Sequence, residues 1–193
     1  MHHIHAFFIL ILLFIFTACE DKTPKNYTSH DTLTTQAPTL SDTFILSNNA
    51  GDIYTVTVSN KKVTFKESMK AITLLSFFAT WCQPCLHEIP DLNDLYYKYQ
   101  DKLLLASILI HDPISKQALE NFTQAQQIQH YVSNSIQNND FAQLISKTLQ
   151  LPKRFSIPLT VMYVEGEYFT HYEGNVPVEM IEYDIDQALQ TLE

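Results

Sequence analysis

Residues 76–90 read SFFATWCQPCLHEIP, with two cysteines separated by two residues at the centre of the stretch. The apolar run that leads into it, residues 72–78, predicts a buried strand. A helix is then expected to begin near Cys82 and to continue toward Pro90. The pattern therefore predicts Cys82 at the N-terminus of a helix, with Cys85 one turn further along.

A helix N-terminus favours a thiolate, because its free N–H groups and the helix dipole both attract negative charge. In such a setting the pKa of a cysteine falls from about 8.5 to roughly 3.5–7.5. Cys82 is therefore predicted as the attacking thiolate and Cys85 as the thiol that resolves the mixed disulfide. A zinc or copper site is an alternative, but it normally needs more ligands, and His87 alone adds little. A purely structural disulfide gains little from so short a loop.

The motif WCQPC (residues 81–85), within FFATWCQPC and followed by EIP (residues 88–90), resembles the active site of the thioredoxin superfamily. Over roughly residues 42–193 the chain is similar to the membrane-anchored thiol–disulfide oxidoreductases of the TlpA/ResA type. The resemblance implies a thioredoxin fold and a redox-active disulfide between Cys82 and Cys85. It implies no other cofactor and no metal.

The resemblance also implies a substrate groove beside the cysteine pair. The Ile157–Pro158 bond is expected to be cis, to shape this groove and to leave backbone groups free for an incoming peptide. An ordinary trans proline at the start of a strand is the alternative. Trp81, Gln83 and Pro84 are expected beside the substrate, with Gln83 and Pro84 also tuning the redox potential.

Glu88 follows Cys85 by three residues, which is about one helical turn. A carboxylate there could raise the pKa of the thiols and pass protons to Cys85, and the resemblance implies a functional glutamate at this position. Ser76 stands where thioredoxin has a buried aspartate, whose role serine cannot take. The alternative is a solvated glutamate on the helix surface, which is where His87 is expected.

The N-terminal region predicts export and anchoring. The apolar run 6–16 is too short to span a membrane and is typical of a signal peptide, predicted over residues 1–18. FTAC (residues 16–19) resembles a bacterial lipobox, so that Cys19 would be lipidated, and a polar tether follows over residues 19–41. The phenylalanine at position 16 and the lack of Lys or Arg before the run leave an uncleaved anchor or an ordinary secretory signal as alternatives.

Beyond the tether, residues 42–193 predict one α/β domain in which strands alternate with helices. The prediction is a thioredoxin fold with an N-terminal β-hairpin extension and a central helix–strand insertion. The expected strands are residues 43–46, 53–58, 63–65, 72–78, 103–110, 128–132, 160–164 and 168–172. The first expected helix begins at Cys82 and continues past Pro90, with an apolar stripe that reaches Tyr99. The other expected helices cover residues 114–127, 139–149 and 177–192.

The charge of the chain limits the classes of molecule that it is expected to bind. The chain of 193 residues has a net charge of −9 and no basic stripe, which argues against a nucleic-acid binder. The sequence therefore predicts thiol–disulfide exchange on periplasmic proteins by a lipid-anchored envelope protein. By resemblance this would be a partner-specific reductase, for example in cytochrome c maturation, supplied with electrons by a membrane thiol protein.

Three alternatives remain at this level. A dithiol oxidase uses the same cysteine spacing, because potentials from about −270 to about −120 mV occur with it. A copper metallochaperone lipoprotein would hold Cu(I) through the two soft thiolates. A structural lipoprotein without redox activity would leave the intact motif without a role.

Overall fold

The computed structural model describes residues 41–192, which form an eight-stranded sheet with helices on both faces. The predicted signal peptide (residues 1–18), the lipidation of Cys19 and nearly all of the tether lie outside the described residues. Within residues 41–192, no helix combines the length and the apolar composition needed to cross a membrane.

The elements follow one another along the chain as strands, then alternating strands and helices. The strands are β1 Ser41–Ser47, β2 Ile53–Ser59, β3 Lys62–Phe65, β4 Ile72–Phe78, β5 Leu103–Leu109, β6 Tyr131–Ser133, β7 Leu159–Val164 and β8 Glu167–Glu173. The helices are α1 Gln83–Tyr99, α2 Lys116–Ala125, α3 Asn138–Thr148 and α4 Val178–Thr191.

The strand order in the sheet is β1-β2-β3-β8-β7-β4-β5-β6. β4 pairs in parallel with β5 and antiparallel with β7. The antiparallel strands β1, β2 and β3 extend the sheet beyond β8, which confirms the predicted N-terminal hairpin. α2 and β6 lie between β5 and α3, where the central helix–strand insertion was predicted. The α/β class and the thioredoxin fold are thus confirmed.

The prediction was least accurate at the insertion, where the structure has a shorter helix and a displaced strand. Ser115 caps α2, its Oγ accepting a hydrogen bond from the Ala118 N–H, so the helix begins at Lys116 and not at the predicted residue 114. Gln127 has a φ of 54°, in the left-handed region, and it follows the end of the helix. Ile128 packs against the core from a loop. Its apolar side chain therefore indicated burial and not strand pairing, which begins at residue 131.

β4 is buried on both faces of the sheet. Its residues Leu75 and Phe77 pack in a cluster with α3, while Ile72 and Leu74 pack with α1 and α4. Because side chains alternate along a strand, Ser76 lies on the face that α1 covers. The two-cysteine motif therefore follows the C-terminal end of an interior strand that has a packed core on each face.

The outer edge of β1 is hydrogen-bonded to the segment that follows β6. The Ile45 N–H donates to the side chain of Gln137, and the Ile45 carbonyl accepts from the hydroxyl of Ser135. The Asn134 N–H donates to the Ser47 carbonyl at 2.9 Å. The first and last strands of the sheet are therefore linked through residues 134–137.

Candidate active site

Cys82 and Cys85 form a disulfide at the start of α1. Cys82 is the N-cap residue, and its Sγ accepts a hydrogen bond from the Cys85 N–H at 3.2 Å. Both residues are buried, with 4% and 2% of their surface exposed, so burial does not distinguish their roles. The helix N-terminus does distinguish them, because its N–H groups stabilise negative charge on the Cys82 sulfur. The predicted position of the pair is confirmed.

The loop before the motif is held by the loop that follows β5. Asp112 Oδ2 accepts hydrogen bonds from the Thr80 N–H at 2.7 Å and from the Thr80 hydroxyl at 2.6 Å. The indole N–H of Trp81 lies 3.4 Å from the carbonyl oxygen of His111. The sequence analysis did not predict this contact between Asp112 and Thr80. The signal for it was an aspartate just after a strand that runs parallel to β4, because the carboxyl ends of parallel strands lie at the same side of a sheet.

Replacing Asp112 by Ala is expected to lower the free energy of unfolding by about 1.5–3 kcal/mol, since two hydrogen bonds to a charged group are lost. Urea unfolding of the oxidised protein measures the change. Asp101→Ala is the matched control, because Asp101 is exposed and lies at the opposite end of β5. Equal effects of the two substitutions would contradict a stabilising role for the Asp112–Thr80 hydrogen bonds.

The Ile157–Pro158 peptide bond is cis, as predicted. The carbonyl oxygen of Ile157 lies 3.8 Å from the Cys82 Sγ, and Pro158 is buried immediately before β7. Trp81 is 60% exposed beside the disulfide, and Gln83 and Pro84 are also exposed. These residues surround the disulfide at the surface. Their contact with a substrate stays a prediction.

Glu88 is buried, with only 2% of its surface exposed, so the alternative of a solvated glutamate is wrong. The Thr160 hydroxyl donates a hydrogen bond to its Oε1 at 3.3 Å, while Oε2 has no hydrogen-bond partner among the described residues. Burial, assisted by the nearby Asp91, raises the pKa of Glu88 to about 7, and the Thr160 hydrogen bond opposes this rise. Glu88 thus has the pKa of a group that exchanges protons near neutral pH. His87 is exposed, as expected.

A row of hydroxyl groups crosses the sheet beneath α1. Ser76 is buried and lies opposite Thr160 on β7 and Ser107 on β5, so all three side chains lie on the same face. The Ser107 hydroxyl is 2.8 Å from Nε2 of His130, a buried residue that sequence reasoning missed. Burial lowers the pKa of His130 to about 4. Glu88 on α1 supplies the carboxylate of this polar layer, while position 76 on β4 holds a serine.

Within residues 41–192, no group of three or more His, Cys, Asp or Glu side chains is arranged to hold a metal ion. The cysteine pair would therefore offer a metal two sulfur ligands, and only after reduction.

The sequence comparisons agree with this geometry. The model of the AhpC/TSA family matches residues 34–158. The thioredoxin-like protein YneN of Bacillus subtilis is 36% identical over 59 residues, which cover 31% of this chain and 35% of YneN. The thiol-disulfide oxidoreductase ResA of Bacillus thuringiensis is 33% identical over 57 residues, covering 30% of this chain and 33% of ResA. The chain thus spans about a third of the length of these curated relatives.

Solved structures share the fold over most of their length. A thiol:disulfide interchange protein of the thioredoxin family from Chlorobium tepidum superposes with a TM-score of 0.55 at 17% identity, covering 80% of this chain and 98% of that protein. StoA from Bacillus subtilis superposes with a TM-score of 0.52 at 18% identity, covering 75% of this chain and 96% of StoA. At this identity the likeness concerns the fold alone.

Proposed function

Because the chain belongs to the AhpC/TSA family of thioredoxin-like proteins, we propose that it is a thiol–disulfide oxidoreductase acting on protein substrates. One observation carries the proposal: the Cys82–Cys85 disulfide caps α1 and lies against the cis Ile157–Pro158 bond. The name of the relative ResA describes the same activity.

The exchange proceeds in two steps that transfer two electrons to the substrate. In the reduced protein, the Cys82 thiolate attacks one sulfur of a substrate disulfide, forms a mixed disulfide and expels the other substrate sulfur as a thiolate. Cys85 then loses its proton and attacks the Cys82 sulfur, which closes the Cys82–Cys85 disulfide and releases the second substrate thiol. The proton of Cys85 and one proton from solvent, which replaces the one that Cys82 lost on forming its thiolate, end on the two substrate thiols.

Glu88 is proposed to exchange a proton with Cys85 in the second step. It follows Cys85 by one turn of α1, and its pKa of about 7 allows it to take up or release a proton at neutral pH. Its burial keeps water from competing for that exchange.

The biological setting is proposed from the sequence. The apolar segment before Cys19 supports export and lipidation, with the domain facing the periplasm on a tether. In that oxidising compartment a reductase of specific partner proteins, such as apocytochrome c, would need electrons from a membrane thiol protein. The resemblance to TlpA/ResA-type proteins supports this direction of electron flow over an oxidase.

The reduction potential of the Cys82–Cys85 pair tests the proposed direction of electron flow. The full chain carrying Cys19→Ser is equilibrated in glutathione buffers of defined ratio, and the fraction of reduced pair is measured by thiol alkylation and mass spectrometry. A reductase is expected closer to about −270 mV than to about −120 mV. A potential above about −150 mV would reject the reductase and favour the oxidase. Cys85→Ala in the same background is the control, since it has no pair to titrate.

A further inference from the structure

A groove of about 430 Å³ opens beside the disulfide. Its lining includes Trp81, which precedes Cys82 in the chain, and Ile157, whose carbonyl oxygen lies 3.8 Å from the Cys82 sulfur. Phe155 also belongs to its apolar lining, and Lys153 and Arg154 line the same groove. We call this surface the basic groove. A segment bound in it would contact Trp81 and Ile157, the neighbours of the reactive sulfur.

The charge of the basic groove is opposite to that of the chain. Lys153 and Arg154 are exposed, and neither forms a salt bridge with any of the described residues. Among the described residues, no Asp or Glu lines the groove. The whole chain has 21 acidic and 12 basic residues, and Arg154 is its single arginine. Two adjacent unpaired cations beside the active site of an acidic protein indicate a site for a negatively charged group.

A second groove of about 400 Å³ adjoins the first and shares Gln143 and Lys153 with it. Leu144 and Leu151 give it apolar walls, and Lys147 adds a third cation. Within residues 41–192, this second groove likewise has no acidic side chain in its lining. The positive surface therefore continues away from the disulfide, along a path that also offers apolar contacts.

We propose that the basic groove binds the segment next to the reactive cysteine of a protein substrate, and that this segment carries an Asp or Glu that pairs with Arg154 and Lys153. The inference rests on the proposed function, whose substrate class it narrows. The planar guanidinium of Arg154 can bind a carboxylate through two parallel hydrogen bonds. Cations beside a reactive site also accelerate the approach of an oppositely charged partner.

Exchange rates with a matched peptide series test the proposal. Each peptide has one cysteine, joined in a disulfide to 2-mercaptoethanol, and carries Asp, Asn or Lys at the positions near the cysteine. The reduced full chain with Cys19→Ser should release the Asp peptide about three- to tenfold faster than the Asn peptide, and the Lys peptide should be slowest. The preference should shrink in 0.5 M salt, because salt screens exposed charges.

The double variant Lys153→Glu and Arg154→Glu should reverse the order, so that the Lys peptide reacts fastest. The control variant Lys66→Glu and Lys102→Glu changes the net charge equally at exposed sites outside both grooves, and it should keep the preference for Asp. The Asn peptide should react at similar rates with all three proteins, which shows that each is folded and active.

Equal rates for the three peptides would overturn the acidic-segment proposal and leave the oxidoreductase function intact. The same conclusion follows if both double variants lose the preference equally, since net charge alone would then explain it. Binding of anionic phospholipid vesicles by the basic groove, without any peptide preference, would assign the surface to a membrane and also overturn the proposal. Failure to exchange with every peptide would reject the proposed function itself.

Discussion

Replacing Cys82 by Ser is expected to bring disulfide exchange down to the uncatalysed rate, a loss of at least about 1000-fold. The thiolate is the nucleophile, and an alcohol at the N-cap of α1 cannot replace it. Cys85→Ala is expected to retain the first step and to stop after it, because no second thiol remains to release the substrate. The two cysteines are equally buried, so this asymmetry tests the role assigned to the helix N-terminus.

Both variants are prepared with Cys19→Ser, so that an adduct can form on one sulfur only. Each is mixed with a cysteine peptide that carries a disulfide to 2-mercaptoethanol, and intact-mass spectrometry follows the mixed disulfide with time. Cys85→Ala should accumulate the adduct on Cys82, while Cys82→Ser should form little. Faster adduct formation on Cys85 would reverse the two roles. In cells, the same trap would capture the natural substrates.

Glu88→Gln is expected to change how stability depends on pH. In the folded protein the pKa of Glu88 is about 7, above the unfolded value of 4.5. Between these values the folded state holds a proton that the unfolded state has lost. The stabilisation from Glu88 is therefore complete below pH 4.5 and is lost as the pH rises through 7. At about 1.4 kcal/mol per pH unit the loss amounts to about 3 kcal/mol.

His130 contributes the opposite slope over part of this range. Its pKa falls from 6.5 to about 4 on folding, so the unfolded state binds the extra proton and stability rises with pH between those values. In the wild-type protein the opposite contributions of Glu88 and His130 to the pH dependence of stability largely cancel from pH 4.5 to 6.5. Of these two groups, only Glu88 still contributes between pH 6.5 and 7. The difference between wild type and Glu88→Gln isolates the glutamate.

Urea unfolding of the oxidised proteins at several pH values from 4.5 to 8 measures this difference. The stability of wild type relative to Glu88→Gln should fall by about 3 kcal/mol over that range. Glu67→Gln is the control: Glu67 is exposed, and hydrogen bonds from Thr55 lower its pKa, so this substitution should leave the slope above pH 5 unchanged. A constant difference between wild type and Glu88→Gln would show that Glu88 titrates normally in the folded state.

The sequence predicted those parts of the site that local pattern determines. An apolar run followed by two cysteines and a helical pattern was sufficient to place β4, α1 and the cysteine pair, while the disulfide between the two cysteines was implied by resemblance. The cis Ile157–Pro158 bond followed from resemblance, since no local property of an isoleucine–proline pair requires it. Helix α1 continues through Pro90 because its apolar stripe continues beyond that residue, as at Leu92 and Leu95.

The contacts that depend on how distant strands lie beside each other were not predicted. Asp112 meets Thr80 across 32 residues, and Thr160 meets Glu88 across 72. The buried state of Glu88 depends on how β7 lies beside β4, so the sequence left a solvated glutamate possible. The cations of the basic groove were indistinguishable from other surface charges until the structure placed Lys153 and Arg154 beside Trp81.

The bonds between β1 and residues 134–137 affect how this domain meets other chains. An uncovered edge strand offers a row of backbone donors and acceptors to any extended polypeptide, which leads to aggregation. Here the N–H and carbonyl of Ile45 and the carbonyl of Ser47 already have partners, so β1 cannot recruit a foreign strand without losing them. The protein is thus protected against indiscriminate strand addition at these positions of β1.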